Sequence, residues 1–142
     1  MNERVASLLR EIEAFGNAND ARVADRSQKM LNITPDTGEF LSILVRLQPA
    51  KRVLEIGTSN GYSTLWLADA VSGTEGIIET VERNPEKVRM ARANFERSGL
   101  SRFISLVEAD AAKVLAAAAD ATYDFVFLDS ERTEYLSWWP HI

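Results

Sequence analysis

Hydrophobic residues recur at helical spacing near the start of the chain. The repeating positions are Val5, Leu8, Leu9, Ile12 and Phe15. This spacing places them on one face and predicts an amphipathic helix, which Gly16 followed by Asn17 is expected to end. Residues 17–32 are more polar and predict at most a weak helix.

A second helix is predicted to begin at Thr34. A threonine suits the N-cap, and Pro35 after it suits the first helical position. The apolar stripe of this helix consists of Phe40, Leu41, Leu44 and Leu47, and the stripe ends near Pro49. Residues 1–48 are therefore predicted to form N-terminal helices.

After Pro49 the pattern changes from helical spacing to short apolar runs that alternate with helices. Residues 52–56 form such a run, which stops at Gly57 and is typical of a buried strand. The segments that follow predict a helix over 62–70, a strand over 77–81, a helix over 85–97, a strand over 103–107, a helix over 111–119 and a strand over 123–128. Asn84 is predicted to cap the helix over 85–97, and Gly99 to end it.

Regular alternation of strands and helices predicts the fold class. We expect an α/β fold, with a doubly wound, mostly parallel Rossmann-like sheet that has helices on both faces. Residues 1–142 would form a single domain, with its Rossmann-like core over 49–142. Ligands of such sheets bind at the carboxyl ends of the strands, so the residues after each strand are the candidate site.

Composition and charge narrow the class of function. The 142 residues carry a net charge of −5, which disfavours nucleic acid as a partner. The absence of cysteine and the single histidine, His141, disfavour thiolate or multi-histidine metal sites and a Ser-His-Asp triad. The chain has neither an apolar run of about 20 residues nor a signal-peptide pattern at its start, so we expect a soluble, cytoplasmic protein without a membrane partner.

Two glycines follow the first predicted strand. Gly57 and Gly61 flank the turn into the next helix, where glycine allows a ligand to approach the backbone closely. A tight turn that needs glycine only for packing would explain them equally well. Their spacing lacks the G-x-G-x-x-G order of a pyrophosphate-binding loop.

Acidic residues follow the next two strands. Glu82 stands where a carboxylate bonds ribose hydroxyls in adenosine-binding sheets, although a solvated surface glutamate is the simpler alternative. Asp110 is predicted to cap the helix that starts at Ala111, and the same side chain could also accept a bond from an adenine amino group. Glycines and an acidic residue at neighbouring strand ends are together more specific than either signal alone.

Three segments, 53–63, 80–85 and 123–129, resemble the motifs of catechol and caffeoyl-CoA O-methyltransferases, within a match that runs from about residue 31 to residue 135. These enzymes are class I S-adenosylmethionine-dependent methyltransferases. The resemblance implies a cofactor site formed by Ile33, Glu55, Gly57, Ser59, Gly61, Ser63, Glu82, Asp110 and Ala111. Of these, Glu55, Gly57 and Ser63 would surround the methionine part, Glu82 would hold the ribose, and the segment 31–33 would close over the methionine end.

The resemblance also implies a catalytic centre at Asp129 and Arg132. In the family an aspartate directly after the fourth strand ligates a divalent ion such as Mg²⁺ or Ca²⁺. A lysine three residues after this aspartate is the general base. Asp129 fits the metal ligand, but Arg132 replaces the lysine, and its guanidinium stays protonated at neutral pH. Arg132 would either orient an anionic acceptor or pair with Glu131 or Glu134 at the surface.

The sequence stops at Ile142, before the Asp-Asn pair and the last strands of the family's sheet. We therefore expect a C-terminally incomplete domain, in which Leu128, Trp138 and Trp139 lack their cover and favour association into a homodimer.

The function expected from the resemblance is S-adenosylmethionine-dependent O-methyl transfer to a small, catechol-like acceptor, assisted by a divalent metal. Two alternatives stay open. One is a non-catalytic or metal-independent protein that binds the same cofactor, and the other is an NAD-dependent dehydrogenase, which the spacing of the glycines disfavours.

Overall fold

Helices and strands alternate along the computed structural model, which describes residues 1–142. The elements are α1 (Glu3–Arg22), α2 (Pro35–Leu47), β1 (Arg52–Ile56), α3 (Tyr62–Ser72), β2 (Ile77–Glu82), α4 (Pro85–Ser98), β3 (Ile104–Glu108), α5 (Ala111–Ala117), β4 (Phe125–Leu128) and α6 (Tyr135–Trp138). Short 3₁₀ turns occupy Arg26–Gln28, Ser101–Phe103, Arg132–Glu134 and Trp139–His141. None of the helices combines the length and the apolar character needed to cross a bilayer.

The four strands form one parallel sheet in the order β3-β2-β1-β4, which confirms the predicted fold class. β1 is central, and its Val53 lies opposite Ile78 on one side and Phe125 on the other. Alternate β1 residues enter different cores: Val53 joins the larger cluster with α1 to α4, whereas Leu54 joins a smaller cluster with Leu115 of α5. Helices therefore cover both faces of the sheet.

The predicted end of α1 at Gly16 is wrong. The helix continues to Arg22, and Gly16 is buried in its interior. A Cβ atom at Gly16 would lie 2.5 Å from Nδ2 of Asn32, so glycine is needed there for the close approach of a distant segment. Gly16 therefore serves the packing of Asn32 against α1, and it does not act as a local stop signal for the helix.

α2 begins as predicted, because the Thr34 side chain accepts a hydrogen bond from the Thr37 amide and Pro35 follows it. Its buried face differs from the predicted stripe and consists of Gly38, Leu41, Ser42 and Val45. Phe40 and Leu47 are 59% and 77% exposed. The small residues let α2 approach α3 closely, and Ser42 Oγ donates a hydrogen bond to the Trp66 carbonyl at 3.0 Å.

The last predicted strand starts two residues later than expected, at Phe125. Asp124, just before it, uses its carboxylate to accept hydrogen bonds from the backbone amides of Lys51 and Arg52 at 2.8 and 2.9 Å. This side chain therefore joins the start of β4 to the start of β1. Likewise Phe103 belongs to a 3₁₀ turn, so β3 begins at Ile104.

The prediction that Trp138 lacks cover is wrong. Its side chain is 2% exposed and packs in the smaller core with Leu54, Ile56 and Leu115. Trp139, the next residue, is 71% exposed, as expected for a side chain without cover. α6 thus buries one tryptophan of the pair beneath the sheet.

Candidate active site

A cavity of about 390 Å³ lies at the carboxyl ends of β1, β2 and β4. Four segments line it: 26–33 before α2, 57–63 after β1, 82–87 after β2 and 129–132 after β4. The cavity is mainly polar, and it stands where parallel sheets bind their ligands. Among the predicted site residues, the lining includes Ile33, Gly57, Ser59, Ser63, Glu82, Asp129 and Arg132.

Gly57 starts the loop after β1 in a conformation that excludes side chains. Its φ is +107°, and a Cβ atom there would lie 2.2 Å from the backbone oxygen of Asp129. The loops after β1 and β4 therefore touch at this residue. Gly61 also has a positive φ, of +86°, but a Cβ atom there would meet the ring of Phe95, so it serves packing and does not line the cavity.

Ser59 joins three parts of the site. Its backbone amide donates to a carboxylate oxygen of Glu82 at 2.9 Å, and its hydroxyl donates to the Met30 carbonyl at 2.7 Å. Its φ of 49° is in the left-handed region, which a non-glycine residue adopts only when the surroundings enforce it. The loop after β1 is therefore held both by β2 and by the segment before α2.

Glu82 is held by backbone amides at the cavity wall. Oε2 accepts from Ser59, and Oε1 accepts from Arg83 and Asn84 at 3.0 and 2.9 Å. A carboxylate has about four acceptor positions, so these three amides leave room for about one further hydrogen bond, on Oε2. Glu82 therefore has room for about one bond to a ligand, fewer than its predicted bonds to the hydroxyls of a ribose.

Glu55 lies beneath the cavity and does not line it. The side chain is fully buried and accepts hydrogen bonds from the hydroxyls of Ser63, Thr64 and Thr80 at 2.5, 2.5 and 2.6 Å. Burial raises the pKa of Glu55 to about 7, although the three hydroxyl bonds lower it, and the negative charge of Asp129 raises it further. Ser63, by contrast, reaches the lining, so it connects the buried carboxylate to the cavity.

Two asparagines at the cavity carry buried polar atoms without a partner. They are Asn32, through Oδ1, and Asn60, through Nδ2. Asn60 is 1% exposed, and its Oδ1 is occupied by the amide of Tyr62. Buried polar atoms are nearly always hydrogen-bonded, so both atoms depart from the usual pattern, although neither is exposed to the cavity as the chain stands. The sequence did not single out either atom, because only the folded arrangement shows which asparagine atoms lack a partner.

Asp110 and Ala111 line a separate, smaller cavity of about 50 Å³. It borders the larger one, with which it shares Gly57, Glu82, Arg83 and Ser130. Asp110 caps α5 as predicted, because its carboxylate accepts from the Ala112 amide at 2.9 Å. The predicted ribose and adenine residues are therefore neighbours in the structure.

Asp129 and Arg132 line the cavity from the segment that follows β4. The Asp129 carboxylate accepts no hydrogen bond from the chain; burial raises its pKa, and the nearby Arg132 charge partly lowers it. Of the two alternatives for Arg132, the structure does not show the surface pairing, because Glu131 pairs with Arg26 at 3.8 Å and Glu134 pairs with Arg83 at 3.6 Å. Arg132 itself has no carboxylate within ion-pairing distance.

A divalent cation would need more ligands than these residues offer. A hard cation prefers about six oxygen ligands, several of them from carboxylates or carbonyls. The chain has no group of three or more histidine, aspartate or glutamate side chains placed to hold a metal ion. Asp129 alone does not make such a site, so no step of the chemistry is assigned to a metal here.

Comparison with known proteins gives consistent matches. A family model described as O-methyltransferase matches residues 11–142. The chain is 31% identical over 122 residues to a catechol O-methyltransferase of Niastella koreensis, covering 82% of this chain and 55% of that protein. It is 35% identical over 109 residues to a catechol O-methyltransferase of Mycobacterium tuberculosis, covering 75% of this chain and 49% of that protein.

A solved structure agrees with these matches. The O-methyltransferase from Bacillus cereus in complex with SAH superposes with a TM-score of 0.74 at 31% identity, covering 93% of this chain and 59% of that one. The present chain thus spans about half the length of the curated relatives it matches.

Proposed function

Because the chain belongs to the O-methyltransferase family, we propose that it binds S-adenosylmethionine in the cavity at the carboxyl ends of β1, β2 and β4. We further propose that it takes part in methyl transfer to a hydroxyl oxygen of a small, catechol-like acceptor. The relatives named catechol O-methyltransferase and the SAH complex of the Bacillus cereus protein support both parts.

The observation that carries the cofactor proposal is the set of unused hydrogen-bonding positions around one cavity. Glu82 retains about one acceptor position on Oε2, and two asparagines of the lining, Asn32 and Asn60, each carry a buried polar atom without a partner, which a small side-chain rotation would have to expose. A ligand with a ribose and an amino acid part offers hydroxyl and ammonium donors as well as a carboxylate acceptor. The cavity of about 390 Å³ falls in the size range of small-molecule sites.

When bound, S-adenosylmethionine supplies a methyl group already activated by the attached sulfonium. The chain's own task is to align the acceptor oxygen and to exclude water around it. The loop contacts of Gly57 with Asp129, and of Ser59 with Met30, fix the walls against which both molecules would rest. Arg132 cannot accept the acceptor's proton, so the base used by the relatives is not assigned to it.

Binding without catalysis is the second candidate, and two observations favour it. Arg132 replaces a basic lysine, and these residues form no metal site. The divalent cation inferred from the resemblance stays a prediction, and we expect this chain to bind Mg²⁺ weakly or not at all. Methyl transfer by the protein to catechol, followed with labelled S-adenosylmethionine, would decide against the non-catalytic candidate.

Calorimetric titration with S-adenosylhomocysteine tests the cofactor site. We expect Glu82→Gln to weaken binding at least tenfold, because a charge-assisted hydrogen bond is worth roughly 1.5–3 kcal/mol. Glu108→Gln is the matched control, since Glu108 lies opposite Glu82 in the sheet register but outside the cavity. Urea unfolding of Glu82→Gln shows whether the substitution also destabilises the fold, since Glu82 holds the backbone amides of Ser59, Arg83 and Asn84.

The same titration separates the remaining possibilities. A wild-type chain that fails to bind S-adenosylhomocysteine contradicts the proposal, as does equal affinity of Glu82→Gln and Glu108→Gln. A chain that binds NAD⁺ in preference to S-adenosylhomocysteine supports the dehydrogenase alternative.

A further inference from the structure

The charge of the cavity lining is nearly balanced, although the chain as a whole is acidic. The lining includes four cationic side chains, Arg26, Arg83, Lys87 and Arg132, against the three acidic ones of Glu82, Asp129 and Glu131, in a chain of net charge −5. Arg26 and Arg83 are neutralised by ion pairs with Glu131 and Glu134. Lys87 and Arg132 have no such partner.

Arg132 stands apart from Lys87 by its place in the site. Lys87 lies on α4, beyond the Glu82 side of the cavity, whereas Arg132 lies in the turn after β4, three residues from Asp129. Both glutamates that flank Arg132 in sequence are engaged with other arginines. An exposed guanidinium therefore remains at the cavity, near Asp129 but without a carboxylate of the chain within 4.0 Å.

We propose that Arg132 selects an acceptor that carries a carboxylate as well as its hydroxyls, that is, a hydroxylated aromatic acid. This inference rests on the proposed function, because it names the class of acceptor used at that site. The planar guanidinium donates two parallel hydrogen bonds to a carboxylate, a geometry that a lysine ammonium cannot reproduce. The family's lysine accepts a proton from the acceptor, whereas Arg132 would instead hold the acceptor by its carboxylate.

The charges that face such an acceptor are compatible with this assignment. Asp129 would repel a carboxylate placed directly beside it, so the acid group must lie toward Arg132, with the ring and hydroxyls toward Asp129. Glu131 is neutralised by Arg26, and Glu82 is occupied by three backbone amides. The position of Arg132 thereby sets the orientation of the acceptor as well as its class.

The test uses the chain saturated with S-adenosylhomocysteine and two probes that differ only by a carboxylate, 3,4-dihydroxybenzoate and catechol. We expect the acid to bind at least about tenfold more tightly than catechol, because its carboxylate would form a charge-assisted bidentate pair with Arg132. Arg132→Gln should remove this preference, because it weakens binding of the acid far more than binding of catechol. Arg132→Lys should restore part of the preference, because it keeps the charge without the paired donors.

Arg92→Gln is the matched control, because Arg92 is exposed on α4, forms no ion pair and lies outside the cavity. It removes one positive charge, and we expect it to keep the preference for the acid. Equal binding of the two probes to the wild-type chain, binding of neither, or a preference that survives Arg132→Gln overturns the inference while the cofactor site stands.

Arg132 has one other candidate partner, the carboxylate of the cofactor's methionine part. If Arg132→Gln weakens S-adenosylhomocysteine itself, Arg132 holds the cofactor and the inference about the acceptor is wrong. If the wild-type chain does not bind S-adenosylhomocysteine, the proposed function fails first, so the two failures are distinguishable.

Discussion

Glu55 makes the stability of this fold depend on pH in an unusual direction. The carboxylate is fully buried and accepts three hydroxyl hydrogen bonds, from Ser63, Thr64 and Thr80. Since the Thr80 hydroxyl donates to Glu55, the Thr58 hydroxyl must donate to Thr80 across their 2.6 Å contact. Glu55→Gln keeps the volume of this group and removes its ability to ionise.

The magnitude follows from the pKa. Burial raises the pKa of Glu55 from its usual 4.5 to about 7. The folded state therefore binds the proton more tightly than the unfolded state. The resulting stabilisation is complete below pH 4.5 and is lost as the pH rises through 7. One pKa unit is worth about 1.4 kcal/mol, so the full effect is about 3 kcal/mol, of which about 2 kcal/mol is lost between pH 5.5 and 8.5.

The assay is urea unfolding followed by tryptophan fluorescence at several pH values between 5.5 and 8.5. We expect the free energy of unfolding of the wild-type chain to fall by about 2 kcal/mol across this range relative to Glu55→Gln. Titrations of groups that do not interact with Glu55 are common to both proteins and cancel in the difference, whereas Asp129, which interacts with it, contributes a smaller residual. Parallel pH profiles of the two proteins would show that Glu55 ionises as an ordinary carboxyl, and would refute its raised pKa.

Three further predictions concern packing and assembly. Gly57→Ala should lower the free energy of unfolding by about 3 kcal/mol or more, because a Cβ atom meets a backbone oxygen at positive φ, whereas Gly73→Ala, with ordinary contacts and negative φ, should change it little in the same urea titration. Trp138→Ala should cost roughly 3–5 kcal/mol by urea unfolding, and the exposed Trp139→Ala less than about 0.5 kcal/mol; similar losses for both would contradict the buried position of Trp138. Because Trp139 is 71% exposed and β4 is an edge strand, sedimentation at about tens of micromolar should show a homodimer, and a stable monomer would contradict this expectation.

Local signals predicted most of the fold. Thr34 and Asn84 cap their helices through side-chain bonds to nearby amides, and Gly99 ends α4 in the left-handed conformation. Each of these signals involves residues within a few positions of one another, so the sequence contains the whole interaction. The order of strands and helices, and hence the end of the sheet that bears the site, follows from the same short-range patterns.

Features that depend on distant segments were not predictable. Gly16 has the sequence of a helix stop, but Asn32 packs over it within a continuous helix. Arg132 has two candidate partners close in sequence, Glu131 and Glu134, but Arg26 and Arg83 pair with them instead. Trp138 likewise enters a core that forms only once α5 and α6 meet the sheet. In each case the deciding contact joins residues whose proximity no local pattern encodes.

The central position of β1 also determines the order in which the strands can pair while the chain is being synthesised. β1 pairs with β2 soon after both leave the ribosome, but its other edge pairs with β4, whose Phe125 lies opposite Val53. At translation rates of about 5–20 residues per second, the intervening residues take about 4–14 s to be made. During that interval the nascent chain presents an unpaired, apolar strand edge, so a pause before Asp124 should make it a preferred substrate for chaperones that shield such edges.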